Sequence, residues 1–391
     1  MQHTGKVFMK NALMPLFSIL LLLGCGSPEE GSPDQVLETL EPDTLVLVPA
    51  DTIGVLMGDS NYVFGTIADA IILNSGDILI LDEAARSAMM YDRHGGFIRR
   101  IAREGAGPGE VLIPGGLVRF SDNTIGILDH AQGVHRYSPE GDFIELMTDF
   151  QGRNVPQWAW GVDEMGYVGA ITTFEQTEEG IMAAFIVGRW DSLSRPTVEY
   201  FRNEFMYMPE RPDQFLKNSF FSASFAASRE GIVCVAQTSS EDYSIDLFDP
   251  DGTAAGTIER DLPGVEKSEA ELADETAMIN AILRERGVPE EMQMYRPDPC
   301  RWMIQPQGLS VDGQGRIWAR SGTADGVVMD VYSREGGHLA VVRVLGVTDP
   351  DILDFLNVKA QRDRLLIYSL QAPDYPRLYI IDIPEFDQKG I

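Results

Sequence analysis

One short pattern constrains this chain more than any other: an aromatic residue, Asp or Ser, two variable residues, then Gly. It reads Tyr91-Asp92-Arg93-His94-Gly95, Tyr137-Ser138-Pro139-Glu140-Gly141, Phe248-Asp249-Pro250-Asp251-Gly252 and Tyr332-Ser333-Arg334-Glu335-Gly336. A worn copy stands at Trp190-Asp191-Ser192. Each copy ends one alternating strand and turns into another. The Asp or Ser side chain bonds its own backbone, and Gly supplies the positive φ that closes the turn. A second unit recurs upstream of the first. Ser75-Gly76-Asp77 precedes an apolar run at Ile78, and Asp122-Asn123 precedes one at Thr124. Arg229-Glu230-Gly231 and Gly313-Gln314-Gly315 do the same before Ile232 and Arg316. These are tight hairpins feeding strands of β-forming residues.

Each unit therefore reads strand, hairpin, strand, loop, strand, Gly turn, strand. Repeats of about 40–50 residues with four strands each are the pattern of propeller blades. Inner strands are expected at Ala68–Leu73, Gly116–Phe120, Ala159–Asp163, Ser222–Ala227, Gln307–Val311 and Leu353–Lys359. The sixth unit lacks a fourth strand, and Thr44–Val48 is the N-terminal candidate to complete it. Strands from both chain ends would close the ring and remove its exposed edges. The expected fold is all-β, a six-bladed β-propeller over residues 44–386 with a short tail at 387–391. A helical insertion at 266–304 separates blades 4 and 5. Ser268-Glu269-Ala270-Glu271 is a capping box. Glu271 to Arg286 then runs acidic to basic, as the helix dipole favours, and Gly287 stops it. Leu272, Ile279 and Leu283 give it one apolar stripe to dock on a propeller face.

The chain begins with Lys6 and Lys10, then an apolar run from Ala12 to Leu23 that is short for a membrane span. Its ending, Leu21-Leu22-Leu23-Gly24-Cys25, resembles the lipobox of bacterial lipoproteins. That resemblance implies a signal peptide over residues 1–24, cleavage before Cys25 and lipidation of its thiol. Residues 25–43, which run Gly-Ser-Pro-Glu-Glu-Gly-Ser-Pro from Gly26, read as a flexible tether. Gly26 rather than Asp follows the Cys, so the resemblance favours an outer-membrane lipoprotein of the bacterial cell envelope, facing the periplasm or the cell surface.

The repeat region resembles six-bladed propellers of the NHL/TolB-like type found in bacterial secreted lipoproteins. The segment Glu104-Gly105-Ala106-Gly107-Pro108-Gly109-Glu110 is similar to a GxGPGE stretch common there. The resemblance spans about residues 44–386. It implies the fold and leaves the activity open, because propellers serve in binding, lyase, lactonase and scaffold roles alike.

Charge and site chemistry narrow the function. With 31 Lys plus Arg against 60 Asp plus Glu, the net charge is -29, which excludes the positive field that nucleic-acid binding needs. After Cys25, the remaining thiols are Cys234, in a strand, and Cys300, in a loop; a disulfide between them is an open alternative. His130 and His135 bracket a turn after Asp129, and the three are weak candidates for a shared metal. The loops leading into the inner strands hold Arg103, Glu110, Trp158, Trp160, Arg301 and Trp302. Trp and Arg supply recognition energy and stack on rings and sugars. Trp158 and Trp160 alternate, so one of them is expected to face the channel. These residues point to a non-catalytic, lipid-anchored module without a cofactor that presents its channel mouth to a partner protein or a carbohydrate-like ligand. The alternative is a metal-dependent, lactonase-like hydrolase or lyase with calcium in the central channel.

Overall fold

The structure, a computed structural model, describes residues 44–385 apart from 148–154, 157, 165, 191–195, 230, 286, 348–355 and 370–373. The signal segment, Cys25, the tether, the tail and the start of the sixth inner strand at Leu353 lie outside the described residues. The chain forms six antiparallel blades in sequence order. Blade 1 runs from its inner strand Ile67–Ile72 through Ile78–Asp82 and Ser87–Tyr91 to its outer strand Phe97–Glu104. The inner strands of blades 2 to 6 are Pro114–Arg119, Ala159–Gly161, Ala223–Ala227, Ile304–Val311 and Leu356–Gln361. The fold is the six-bladed propeller that the turn spacing predicts.

The turns that define the repeat work as their residue types demand. Asp92 N–H donates to Gly96 O at 2.7 Å, and Gly95, at φ 83°, donates to Asp92 O at 3.0 Å. The same pair of bonds recurs at Ser138, Asp249 and Ser333. The aromatic residue in front anchors the turn, with Tyr91, Tyr137, Trp190 and Tyr332 all buried.

Ring closure uses a different segment from the one the sequence pattern suggests. The fourth strand of blade 6 is Asp51–Ile53, antiparallel to Leu378–Asp382 with Asp51 opposite Ile380. Thr44–Leu47 instead runs parallel to the outer strand of blade 5, His338–Val344, with Leu45 opposite Val342. Burial explains the assignment. Ile53 is 1% exposed and enters the core between blades 6 and 1, whereas Leu45 and Leu47 are half-buried against the blade 5–6 core.

The cores lie between blades. One joins blades 1 and 2 around Leu79, Leu117 and Ile127, and the next joins 2 and 3 around Val118 and Ile186. Blades 3 and 4 meet at Val168 and Phe225, and blades 4 and 5 at Cys234 and Leu309. Blades 5 and 6 meet at Trp318 and Leu365. Ile80 and Leu366 close the ring between 6 and 1. Face-to-face packing of twisted sheets makes each blade depend on both neighbours.

Among the described residues, two α-helices interrupt the blades. The insertion forms α2 (Glu269–Glu285), opened by the capping box: Ser268 N–H donates to Glu271 Oε2 at 2.8 Å. Its docking face is Glu275, Ile279 and Leu283; Leu272 is only half-buried. Lys267 makes burial of Glu275 tolerable at 2.6 Å, together with the Tyr295 hydroxyl. The shorter α1 (Pro212–Asn218) has Pro at its start, Asp213 in its first turn and Lys217 in its last. It packs Leu216 against Ile279 and Leu283 of α2.

Inner strands of neighbouring blades do not pair, so their facing amides need other acceptors. Ser310 Oγ accepts from Ala360 N–H at 2.9 Å, and Ser224 Oγ accepts from Leu309 N–H at 2.9 Å. Ser310→Ala should orphan a buried amide and lower unfolding stability by about 1–3 kcal/mol. Denaturant titration of the variant beside the parent chain measures this directly.

Candidate functional site

Inner strands start at one end of the channel, and here the structure gathers most of the aromatic residues singled out in the sequence. Trp158 precedes the inner strand of blade 3, and its ring meets Phe220 edge-on at 6.0 Å. Trp160 lies within that strand. Both line a small cavity of about 20 Å³ together with Ser224, Gln307, Leu309 and Lys359. Trp158 sits just ahead of the strand that holds Trp160, and both also pack against the core between blades 3 and 4. The Lys359 ammonium lies 5.7 Å from the Trp160 ring centroid and 2.5 Å from Asp69 Oδ1. Asp69 is 1% exposed and also accepts from Tyr368 Oη at 3.1 Å and from Leu117 N–H at 2.9 Å. Burial and the Asp69 charge push the Tyr368 phenol well above its ordinary range.

Arg301 and Trp302 are held by the helical insertion rather than by the channel cavities. Arg301 Nε meets Glu271 Oε1 at 2.6 Å, and its Nη1 meets Asp325 Oδ1 at 2.9 Å. The Trp302 ring lies 5.7 Å from Phe221 and 5.1 Å from the Lys267 ammonium. The Arg301 guanidinium, aided by Ser268, pulls the Glu271 carboxyl down to about 2. Both residues pin α2 over the inner-strand starts of blades 4 and 5.

Arg103 and Glu110 belong to the outer part of blade 1 and line neither cavity. They pair at 3.1 Å, and Glu110 Oε2 accepts from Gly107 N–H at 2.9 Å. The Gly-rich segment thus folds around the Glu110 carboxylate, which lies where a Cβ at Gly105 or Gly107 would be. Its backbone bond to Gly107, then Arg103, lowers the Glu110 carboxyl below the usual range.

The Asp129, His130 and His135 trio does not converge into a donor set. Asp129 is fully buried, and its oxygens accept from the N–H groups of Leu112, Ile113, Ala131 and Gln132. Asp82 caps the equivalent turn of blade 1 through Gly65, Thr66 and Ala85. His130 is exposed, and His135 is buried 3.9 Å from Asp129 with no hydrogen-bond partner for either ring nitrogen among the described residues. Among the described residues no group of three or more His, Cys, Asp or Glu is arranged to hold a metal ion. Cys234 and Cys300 are free thiols. Cys234 is buried in the blade 4–5 core, which pushes its thiol up to about 12.

Sequence reasoning missed the other end of the channel. There a cleft of about 70 Å³ is lined by Arg119, Arg229 and Arg362, with Ser228, Gln361 and Trp160 beside them. The signal was present as Arg at or beside the hairpins that end three inner strands, read only as turn chemistry.

No protein family matches the chain, and no curated protein does. Among solved structures it is similar to a gluconolactonase from Xanthomonas campestris, at 14% identity over 88% of this chain and 99% of that one, with a TM-score of 0.36. A virginiamycin B lyase from Staphylococcus aureus matches at 9% identity over 85% and 99%, with a TM-score of 0.38. A Bacteroides fragilis protein described as exported matches at 13% identity over 88% and 100%, with a TM-score of 0.44. Likenesses this distant carry no argument about chemistry.

Burial pushes the His135 imidazole below its ordinary value, against the pull of Asp129. The native state therefore holds His135 neutral, and the unfolded chain takes up its proton first as pH falls. This contribution to stability is complete above about pH 6.5 and shrinks as pH drops below it. The depressed Glu271 carboxyl adds a second loss between about pH 4.5 and pH 2. Unfolding midpoints measured across this range should fall in both windows, and His135→Leu should lessen the fall in the upper one while leaving the lower one unchanged.

Proposed function

We propose that this chain is a lipid-anchored, extracytoplasmic binding module that takes a partner-protein segment or a carbohydrate-like ligand at the channel end where the inner strands start. The observation that carries this reading is the position of Trp160. Trp160 lines both channel cavities, and the Lys359 ammonium lies over its ring. A Trp face with a neighbouring cation and the polar side chains of Ser224 and Gln307 suits a ring or sugar bearing hydroxyls. The buried carboxylates nearest the inner strands support a non-catalytic role, because Asp69, Asp82 and Asp129 are engaged by internal donors. Asp312 is likewise held by Arg316 and by the Trp318 indole N–H. Support for the anchor rests on the segment ending at Cys25, and none of the described helices is long and apolar enough to cross a membrane.

Glycan and peptide arrays probed with the protein test the binding reading. Specific signals should appear and should vanish for Trp160→Ala, with circular dichroism showing that the variant is folded. Calcium-dependent turnover of a lactone substrate by the parent chain would overturn it. Cys25→Ser should move the protein from the membrane fraction to the soluble one; retention in the membrane would overturn the anchor.

A further inference from the structure

The end of the channel where the inner strands finish concentrates positive charge in a chain of net charge -29. Arg119 ends the inner strand of blade 2, Arg229 follows that of blade 4, and Arg362 follows that of blade 6. Alternate blades thus bring three guanidinium groups around one axis, and all three line the same cleft of about 70 Å³.

The groups are held in position by the rims of other blades. Arg119 Nη1 donates to Ile72 O at 2.6 Å. Arg229 donates to Asn74 Oδ1 and to Asn123 Oδ1, each at 3.2 Å, and to Phe120 O. Arg362 Nη1 donates to Asn74 O at 2.8 Å, to Leu73 O at 3.3 Å and to Asn74 Oδ1 at 3.4 Å. All the bonds of Arg362 leave from that one nitrogen, so its Nε and Nη2 have no acceptor among the described residues. Ser228 lines the cleft too; it is 5% exposed, and its hydroxyl has no partner among the described residues. Buried hydroxyls normally find one.

The backbone at Arg362 is unusual as well. Its φ is 58°, in the left-handed region where the matching hairpins place Gly76, Asn123, Gly231 and Gly315. Gly313 clamps it there: Gly313 N–H donates to Arg362 O at 2.9 Å, and a Cβ on Gly313 would sit 2.8 Å from Arg362 Cα. A long charged side chain thus stands where Gly or Asn would be easier, in a conformation that the neighbouring blade enforces.

We propose that this cleft is an oxyanion site, taking a phosphate or carboxylate group of a small molecule at the channel end opposite the aromatic cavity. The outer edge of Arg362 and the Ser228 hydroxyl donate to the anion, and Arg119 and Arg229 supply further positive charge. Fork-shaped guanidinium donors suit both planar carboxylates and phosphates. The test is calorimetric titration of the full chain with sodium phosphate and, separately, sodium succinate, with sodium chloride at matched ionic strength as the control. Saturable binding of either anion beyond the chloride control supports the site, and the anion that binds identifies its class. Arg362→Asn, which keeps a residue tolerant of the left-handed backbone, should weaken that binding at least about tenfold. Ser228→Ala removes a hydroxyl with no protein partner; it should leave the unfolding midpoint unchanged and weaken binding about threefold or more. Absence of saturable binding by both anions, or parental affinity in both variants, would overturn the proposal.

Discussion

Every inner strand of a propeller faces a channel, and there it meets no neighbouring strand to pair with. Its edge amides are nonetheless buried among the blades, and a buried amide without an acceptor is costly. This chain answers with side chains borrowed from the adjacent inner strand. Asp69 of blade 1 accepts from Leu117 of blade 2, and Ser224 of blade 4 accepts from Leu309 of blade 5. Ser310 of blade 5 accepts from Ala360 of blade 6, and Gln361 of blade 6 accepts from Ile72 of blade 1. These bonds tie the inner strands of blades 1 and 2 and of blades 4, 5, 6 and 1 to one another around the channel. Asp69 is the most demanding of them, since a buried carboxylate also needs compensation for its charge. Lys359 and Tyr368 of blade 6 provide it across the seam where the ring closes.

That dependence explains what could be read from residues alone. Turn chemistry is local, so Asp92, Ser138, Asp249 and Ser333 with their glycines announced the blades at their true positions. Alternation is legible only over several residues. Thr44–Leu47 stands out instead as a run of β-forming residues, which Asp51–Ile53 is too short to do, so the pattern favoured the wrong segment for the sixth blade. Side-chain burial decided that question, through Ile53 reaching the blade 6–1 core. The capping box of α2 was equally local and equally legible. Its docking face was less so, because the buried position is Glu275, acceptable there only because Lys267 and Tyr295 meet it.

Residues of the candidate site divide along the same line. Placing Trp158, Trp160, Arg301 and Trp302 on loops or strands near the inner-strand starts required only the repeat. Which of them remain available to a ligand depended on partners far away in sequence. Glu271 and Asp325 take Arg301, and Phe221 covers Trp302. Arg103 and Glu110 were conspicuous as charges, yet they serve each other and the Gly107 amide. The three arginines at the opposite end were invisible for the complementary reason. They sit at or just beyond three inner-strand ends, far apart in the sequence, and only ring closure superposes them.

The two ends of the channel are physically linked through Trp160. Trp160 lines both the aromatic cavity and the arginine cleft. Its strand is held tightly, because Gly161 lies so close to the Arg119 carbonyl that no Cβ would fit. The strand that carries Trp160 is therefore in close backbone contact with the end of the blade 2 inner strand at Arg119. Lys359 over the Trp160 face is in turn fixed by Asp69, which also holds the Leu117 amide of blade 2. A rearrangement at either end would have to break a buried, charge-assisted bond before it reached the other. The channel is thus best understood as a preorganised lining whose shape is set when the ring closes.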